Sequence, residues 1–187
     1  MWGIMKAVVV YESLWGNTAA VAREIAAGLG EGATALSTAD ATPGAIEGAD
    51  LIVAGGPVFA FRLSTDATRE RMKPEPGPPP DLSAPSLRSW LETLPTGTAG
   101  CAAFDTRARG PFGSGAPTIM KALSAKGYRQ VSPPRGFTGQ GKYGPLRDGE
   151  HESARRWGEA LSALLTKARA GGALRRIGCG GSERRGG

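Results

Sequence analysis

The residues best suited to chemistry lie near the start of the chain, in Ser13-Leu14-Trp15-Gly16-Asn17-Thr18. Ala7 to Tyr11, just before them, is an unbroken apolar run, as expected of a strand buried on both faces. Just after them, Val21, Ala22, Ile25 and Leu29 recur at helical spacing. A loop between a buried strand and a helix presents unpaired backbone N–H groups at a helix N-terminus, where the dipole favours an anion. Ser13, Asn17 and Thr18 would add side-chain donors, and Gly16 would let the backbone come close. The loop has no Lys or Arg, which suits a phosphate monoester held by neutral donors. It is neither a Walker A loop nor Gly-x-Gly-x-x-Gly. Asn17 or Thr18 could equally be an ordinary helix cap.

Other reactive groups are few. Cys101 lies in an apolar run and reads as core, while Cys179 reads as a free thiol in a Gly-rich tail. Their spacing matches no metal site or disulfide framework, and a reducing cytosol is the simplest home. His151 is the only histidine, and its neighbours Glu150 and Glu152 suit a helix N-terminus rather than a catalytic set. Aromatics make up only 6% of the chain, so those in loops stand out. Phe59 and Phe61 could wall a ligand or pack under a long loop. Phe112 lies between Gly110-Pro111 and Gly113, loop formers that leave it exposed or ligand-facing. Asp105-Thr106-Arg107, with Arg109, forms a charged stretch that could face a ligand or simply be solvated.

The elements that must position these residues alternate. Strands are expected at Lys6 to Tyr11, Ala33 to Ser37, Asp50 to Ala54 and Gly100 to Phe104. A fifth begins at Tyr128 to Val131, breaks at Pro133-Pro134 and resumes near Phe137. Helices are expected at Thr18 to Leu29, Ser86 to Leu94, Ser114 to Lys126 and Glu150 to Ala168, with one turn possible at Pro43 to Gly48. Loops are expected at Gly55-Gly56-Pro57 and from Asp105 to Pro111. Lys73 to Pro85 holds too many prolines for a helix or central strand. Five strands alternating with helices imply an α/β fold, a doubly wound parallel sheet in three layers. Ligands of such sheets sit at the carboxyl ends of the strands. We expect a domain over 1–170 with a proline-rich insertion at 62–85, and a basic, Gly-rich, disordered tail over 171–187. The insertion could be a lid, a docking surface or a solvated excursion.

Charge narrows the partners. The formal net charge is +6 and the pI about 9.7. From Lys167 to Gly187, Lys167, Arg169, Arg175, Arg176, Arg184 and Arg185 stand against Glu183 alone, so this end carries +5 and residues 1–166 only +1. A nearly neutral body argues against a nucleic-acid partner, which needs a basic face. The opening Met1-Trp2-Gly3-Ile4 has no signal-peptide layout, and no apolar run is long enough for a membrane span, so a cytoplasmic protein is expected.

The segment from Lys6 through Ser13-Leu14-Trp15-Gly16-Asn17-Thr18 to Ala26 resembles the amino-terminal signature of the flavodoxin family. The family's usual Thr-Gly-x-Thr core appears as Trp15-Gly16-Asn17-Thr18, with Trp15 in place of the first hydroxyl. Gly55-Gly56-Pro57-Val58-Phe59 and Ala103-Phe104-Asp105-Thr106-Arg107 stand where the family's two flavin-ring loops stand. The run Gly144 to Glu150, leading to Trp157-Gly158, is similar to the end of flavodoxin-like proteins. The resemblance spans roughly residues 6 to 166. It implies strand order 2-1-3-4-5 and FMN as cofactor, bound by Ser13, Leu14, Trp15, Gly16, Asn17, Thr18, Gly56, Pro57, Val58, Phe59, Asp105, Thr106, Arg107 and Phe112. The tyrosine expected beside Asp105 is missing, and an arginine near the ring would favour its negatively charged reduced form.

Three functions fit. The first is a redox protein that carries electrons to or from a partner protein or small-molecule acceptor, although the family's usual strong acidity is missing. The second is an FMN-dependent reductase or dehydrogenase of a quinone-like or porphyrinogen-like substrate. The third is a non-flavin protein of the same fold.

Overall fold

A computed structural model describes residues 4–59, 62–72, 76–111 and 113–178; Phe61, Phe112, Cys179 and the side chain of Phe59 lie outside the description. The elements are β1 (Ala7–Tyr11), α1 (Asn17–Leu29), β2 (Ala33–Ser37), α2 (Pro43–Ile46), β3 (Leu51–Phe59), β4 (Arg62–Leu63), α3 (Asp66–Glu70), α4 (Leu87–Thr93), β5 (Gly100–Ala108), α5 (Ala116–Ala125), β6 (Arg129–Gln130), β7 (Arg135–Gly139) and α6 (Glu150–Gly178).

The sheet runs β2-β1-β3-β5-β6, with parallel neighbours along that path. β7 also pairs parallel with β5, and β4 pairs antiparallel with β3. β6 and β7 are two halves of one strand, with Arg129 opposite Gly100 and Arg135 opposite Phe104. Pro133-Pro134 interrupt it, because proline cannot donate to the ladder. The order is therefore 2-1-3-4-5, as expected, with β4 as a short addition.

Both sheet faces are covered, which is why the strands read as continuous apolar runs. Ala7 and Val9 of β1 face α1 and α6, packing with Val21, Ile25, Phe104, Trp157 and Leu161. Val8 and Val10 face the opposite layer of α2, α4 and α5, with Ile46, Leu87, Trp90, Ile119 and Leu123. The result is three layers.

Three elements run further than their sequence pattern suggests. β3 continues through Gly55-Gly56-Pro57 to Phe59, and β5 continues through Asp105-Thr106-Arg107 to Ala108, where loops were expected. The cause is pairing. Gly56 and Pro57 lie opposite Asp105 and Thr106, and β7 runs along the other side of β5 from Phe104 to Ala108. α6 continues past Ala168 to Gly178. In the proline-rich insertion, β4 and α3 are short, and no helix or strand occurs in residues 76–85. No helix among the described residues is long and apolar enough to cross a membrane.

Candidate functional site

The strand register assembles the site. Tyr11 lies opposite Gly55, Gly55 opposite Phe104, and Pro57 opposite Thr106. The carboxyl ends of β1, β3 and β5 therefore lie side by side, and the segments at those ends converge. Gly16 ends the first loop with φ 97°, a left-handed conformation that favours glycine. Its N–H donates to Ser13 Oγ at 3.1 Å. The first bond of α1 runs from Ala20 N–H to the Gly16 carbonyl at 2.9 Å. The N–H groups of Asn17, Thr18 and Ala19 thus have no acceptor within the helix.

Neither Asn17 nor Thr18 caps α1, whose start carries no side-chain cap. The Thr18 hydroxyl pairs with the Thr106 hydroxyl at 2.6 Å in a buried contact that ties α1 to β5. The Asn17 amide lies against Gly139 and Gly144. By contrast, Thr42, Thr65 and Ser86 cap α2, α3 and α4.

A cleft of about 260 Å³ opens at this point. Ser13, Leu14, Trp15, Asn17 and Thr18 form one wall, Pro57 and Val58 another, and Thr106 and Arg107 a third. These expected residues are brought together. Gly16 shapes the loop without lining the cleft. Gly56 faces the core, where an added Cβ would lie 3.1 Å from Leu87 Cδ2. Sequence reasoning missed Ala108, Gly141 and Lys142, which also line the cleft. The only signal for the last two was a Gly-bracketed Lys-Tyr pair in the loop after the fifth strand.

Asp105 does something other than line the cleft. It is fully buried, and its Oδ2 accepts from Ser114 Oγ at 2.5 Å, Gly115 N–H at 2.9 Å and Ala116 N–H at 3.0 Å. It therefore caps α5 from the neighbouring strand. Its Oδ1 makes no hydrogen bond among the described residues and has Arg107 Nη1 3.8 Å away. Arg107 also donates to the Gly113 carbonyl at 2.8 Å, so its guanidinium is held at the rim.

The insertion is fastened beneath the cleft loop by Glu12, which precedes Ser13 and is 2% exposed. Glu12 Oε1 accepts from Ser64 Oγ at 2.6 Å and Oε2 from Leu87 N–H at 2.8 Å, and Arg69 Nε lies 3.6 Å away. Burial raises the Glu12 carboxyl above its usual range, and the Leu87, Ser64 and Arg69 contacts partly offset that. Further ties are Asp81 N–H to the Leu14 carbonyl at 2.8 Å and Trp15 Nε1 to the Pro78 carbonyl at 3.0 Å. A second cavity, of about 690 Å³, lies on the insertion side of Trp15, bordered by Arg71, Met72, Pro79 and Tyr143.

Cys101 is buried, and burial pushes its thiol up to about 11, so it is an inert core residue. His151 is exposed on α6, with Nδ1 3.6 Å from Glu24 Oε1, and it does not line the cleft. Among the described residues no group of histidines, cysteines and carboxylates could hold a metal ion.

No family model matches the chain, and no curated protein matches it in sequence. Solved structures do match in shape. A flavodoxin from the domain Archaea superposes with TM-score 0.61 at 20% identity, over 87% of this chain and 99% of its own. A WrbA-like flavodoxin from Agrobacterium tumefaciens gives TM-score 0.59 at 19% identity, over 87% and 98%. The Flv1 flavodiiron core from Synechocystis gives 0.61 at 17% identity, over 88% of this chain but 36% of its own. Together with the strand order and the convergence of loops on the cleft, these likenesses show that the chain has the flavodoxin-like fold.

Proposed function

We propose that the chain binds FMN in this cleft and acts as a redox protein that carries electrons to or from a partner. The observation that carries the reading is the open start of α1. The N–H groups of Asn17, Thr18 and Ala19 have no intrahelical acceptor, and Asn17 and Thr18 line the cleft at the point where the strand order reverses. The donor set fits a phosphate monoester. Ser13 Oγ accepts from Gly16 and keeps its own proton to donate, and the Thr18 and Thr106 hydroxyls, bonded to each other across two walls of the cleft, keep one proton between them. Pro57 and Val58 provide apolar walls for a flat ring. The structural neighbours include flavodoxins, which supports the same reading.

When bound, FMN would supply electron and hydride transfer. The residues of the chain would hold its phosphate, wall its ring and place the Arg107 charge near it, favouring negative charge on the ligand. The cleft of about 260 Å³ is just below the usual ligand-pocket range of roughly 300–1,000 Å³, so the bordering loops would part to admit the whole cofactor.

The second reading, an FMN-dependent reductase or dehydrogenase of a quinone-like or porphyrinogen-like substrate, is favoured by the cavity of about 690 Å³ beside Trp15, which offers room for a small molecule. Titration of the purified protein with FMN, followed by quenching of flavin fluorescence, tests the shared part of both readings. Saturable one-to-one binding is expected, and a protein that takes up no FMN refutes them together. Oxidation of NADPH by a soluble quinone, with no partner protein added, separates them. Turnover favours the reductase, and its absence the carrier.

A further inference from the structure

Two loops that border the cleft are fastened to one stretch of the insertion, Pro76-Gly77-Pro78-Pro79-Pro80-Asp81. Proline has no N–H to give a helix or sheet, so the prolines are fastened through their carbonyls. Trp15 Nε1–H donates to the Pro78 carbonyl at 3.0 Å, and the Tyr143 hydroxyl donates to the Pro76 carbonyl at 3.2 Å. At the end of the stretch, Asp81 N–H donates to the Leu14 carbonyl at 2.8 Å. The Trp15 and Tyr143 rings meet edge to face, with centres 5.4 Å apart. Gly77, at φ 131°, packs against Tyr143, where an added Cβ would come within 2.8 Å of the ring. Tyr143 comes from another part of the chain. After β7, an antiparallel bridge between Gly139 and Leu146 closes the base of a short excursion that carries it. Gly141 and Lys142, just before Tyr143, line the cleft, as do Leu14 and Trp15 of the first loop. The stretch therefore ties one bordering loop to the other.

The base and the tip of the insertion are held unequally. At the base, Arg69 Nη2 donates to the Ala84 carbonyl at 2.8 Å, Glu12 accepts from Ser64 and Leu87, and both Arg69 and Glu12 are buried. At the tip, the bonds from Trp15 and Tyr143 are exposed. An exposed bond exchanges with water at little net cost, whereas a buried one leaves its partners unsatisfied. The tip can therefore release while the base stays fixed. We infer that residues 76–81 are a latch, held by Trp15 and Tyr143, that must release before the cleft widens, and that the latch sets the rates of ligand entry and exit. That the ligand is a flavin nucleotide rests on the reading above; the latch itself stands on these contacts. Neither Gly77 nor Tyr143 is among the described residues that line the cleft, so both act on its opening and not on a bound ligand. Freeing the latch speeds entry and exit alike and leaves affinity nearly unchanged.

Stopped-flow measurement of FMN association and dissociation in the wild type, Tyr143→Phe and Gly77→Ala tests this. Tyr143→Phe removes the hydroxyl and keeps the ring, and Gly77→Ala pushes the stretch off the ring. Both variants are expected to raise both rate constants about threefold to tenfold, with Kd within about twofold of the wild type. Unchanged rates overturn the inference. So does weaker affinity with an unchanged association rate, because the stretch would then only stabilise the bound state. A second readout needs no flavin. The Asp81 N–H reports on the latch directly, and its hydrogen exchange should quicken about threefold or more in both variants. If the wild type takes up no FMN, the flavin reading fails and this exchange decides the latch. Faster exchange in both variants upholds it, and unchanged exchange overturns it.

Discussion

Glu12 shows how one side chain can couple the cleft loop to the insertion. Two donors, from Ser64 and Leu87, converge on its carboxylate, and the buried Arg69 stands beside it. Glu12→Gln keeps the shape but turns an NH₂ toward donors and removes from Arg69 its buried acid, leaving the pair with the exposed Asp66. Losing such a charged hydrogen-bonded partner costs roughly 1–3 kcal/mol. The pH dependence has a definite sign. The folded-state carboxyl is raised above its ordinary 4.5, so between the two values the folded chain holds a proton that the unfolded chain has lost. The Glu12 contribution is fully present below the ordinary value and is lost as pH rises through the raised one. The advantage of wild type over Glu12→Gln in urea unfolding should therefore be larger in acid than at neutral pH. An advantage that grew with rising pH would contradict this environment for Glu12.

At the scale of elements, α1 and α6 cross through glycine. A Cβ at Gly158 would press into the Ile25 carbonyl and lie 3.0 Å from Leu29 N, and one at Gly28 would press into the Arg155 carbonyl. Two backbones can approach this closely only without side chains between them. Trp157, the neighbour of Gly158, is then seated against Phe104 and Phe137, with ring centres 6.5 and 6.1 Å away. Gly158→Ala should destabilise by about 1–3 kcal/mol or more, through overpacking that backbone cannot relieve. Gly171→Ala, on the same helix, meets nothing within 4 Å. There alanine should stabilise by roughly 0.5–1 kcal/mol, because only its helix propensity changes. Thermal unfolding of the two variants checks both signs, and a destabilising Gly171→Ala would count against α6 continuing through that point.

Across the whole molecule, what could be read from sequence was whatever depends on local periodicity. The apolar run of β1, the helical spacing in α1, the break at Pro133-Pro134 and the lack of helix or strand in residues 76–85 are all set by neighbouring residues. What could not be read depends on partners distant in the chain. Asp105 to Arg107 look like a charged loop until β7 pairs with them, and Asp105 looks ligand-facing until α5 brings its N–H groups to it. Lys142 reaches the cleft only because Gly139 meets Leu146. Charge is partitioned in the same global way. Arg169 pairs with Asp50, whose Oδ2 accepts from Lys6 N–H at 2.9 Å, so α6 is tied to the start of β1 just before residue 171. Deleting residues 171–187 keeps that tie while removing four arginines and Glu183, which lowers the formal charge from +6 to +3. Stability and FMN affinity should stay essentially unchanged, because the packed part of α6, its tie to Asp50 and the cleft lie upstream of the last turns that the deletion removes. Binding to an acidic redox partner should slow and lose salt dependence, because steering scales with the charge removed. A fall in melting temperature of more than a few degrees, or weaker FMN binding, would show instead that the tail packs on the body and belongs to the fold.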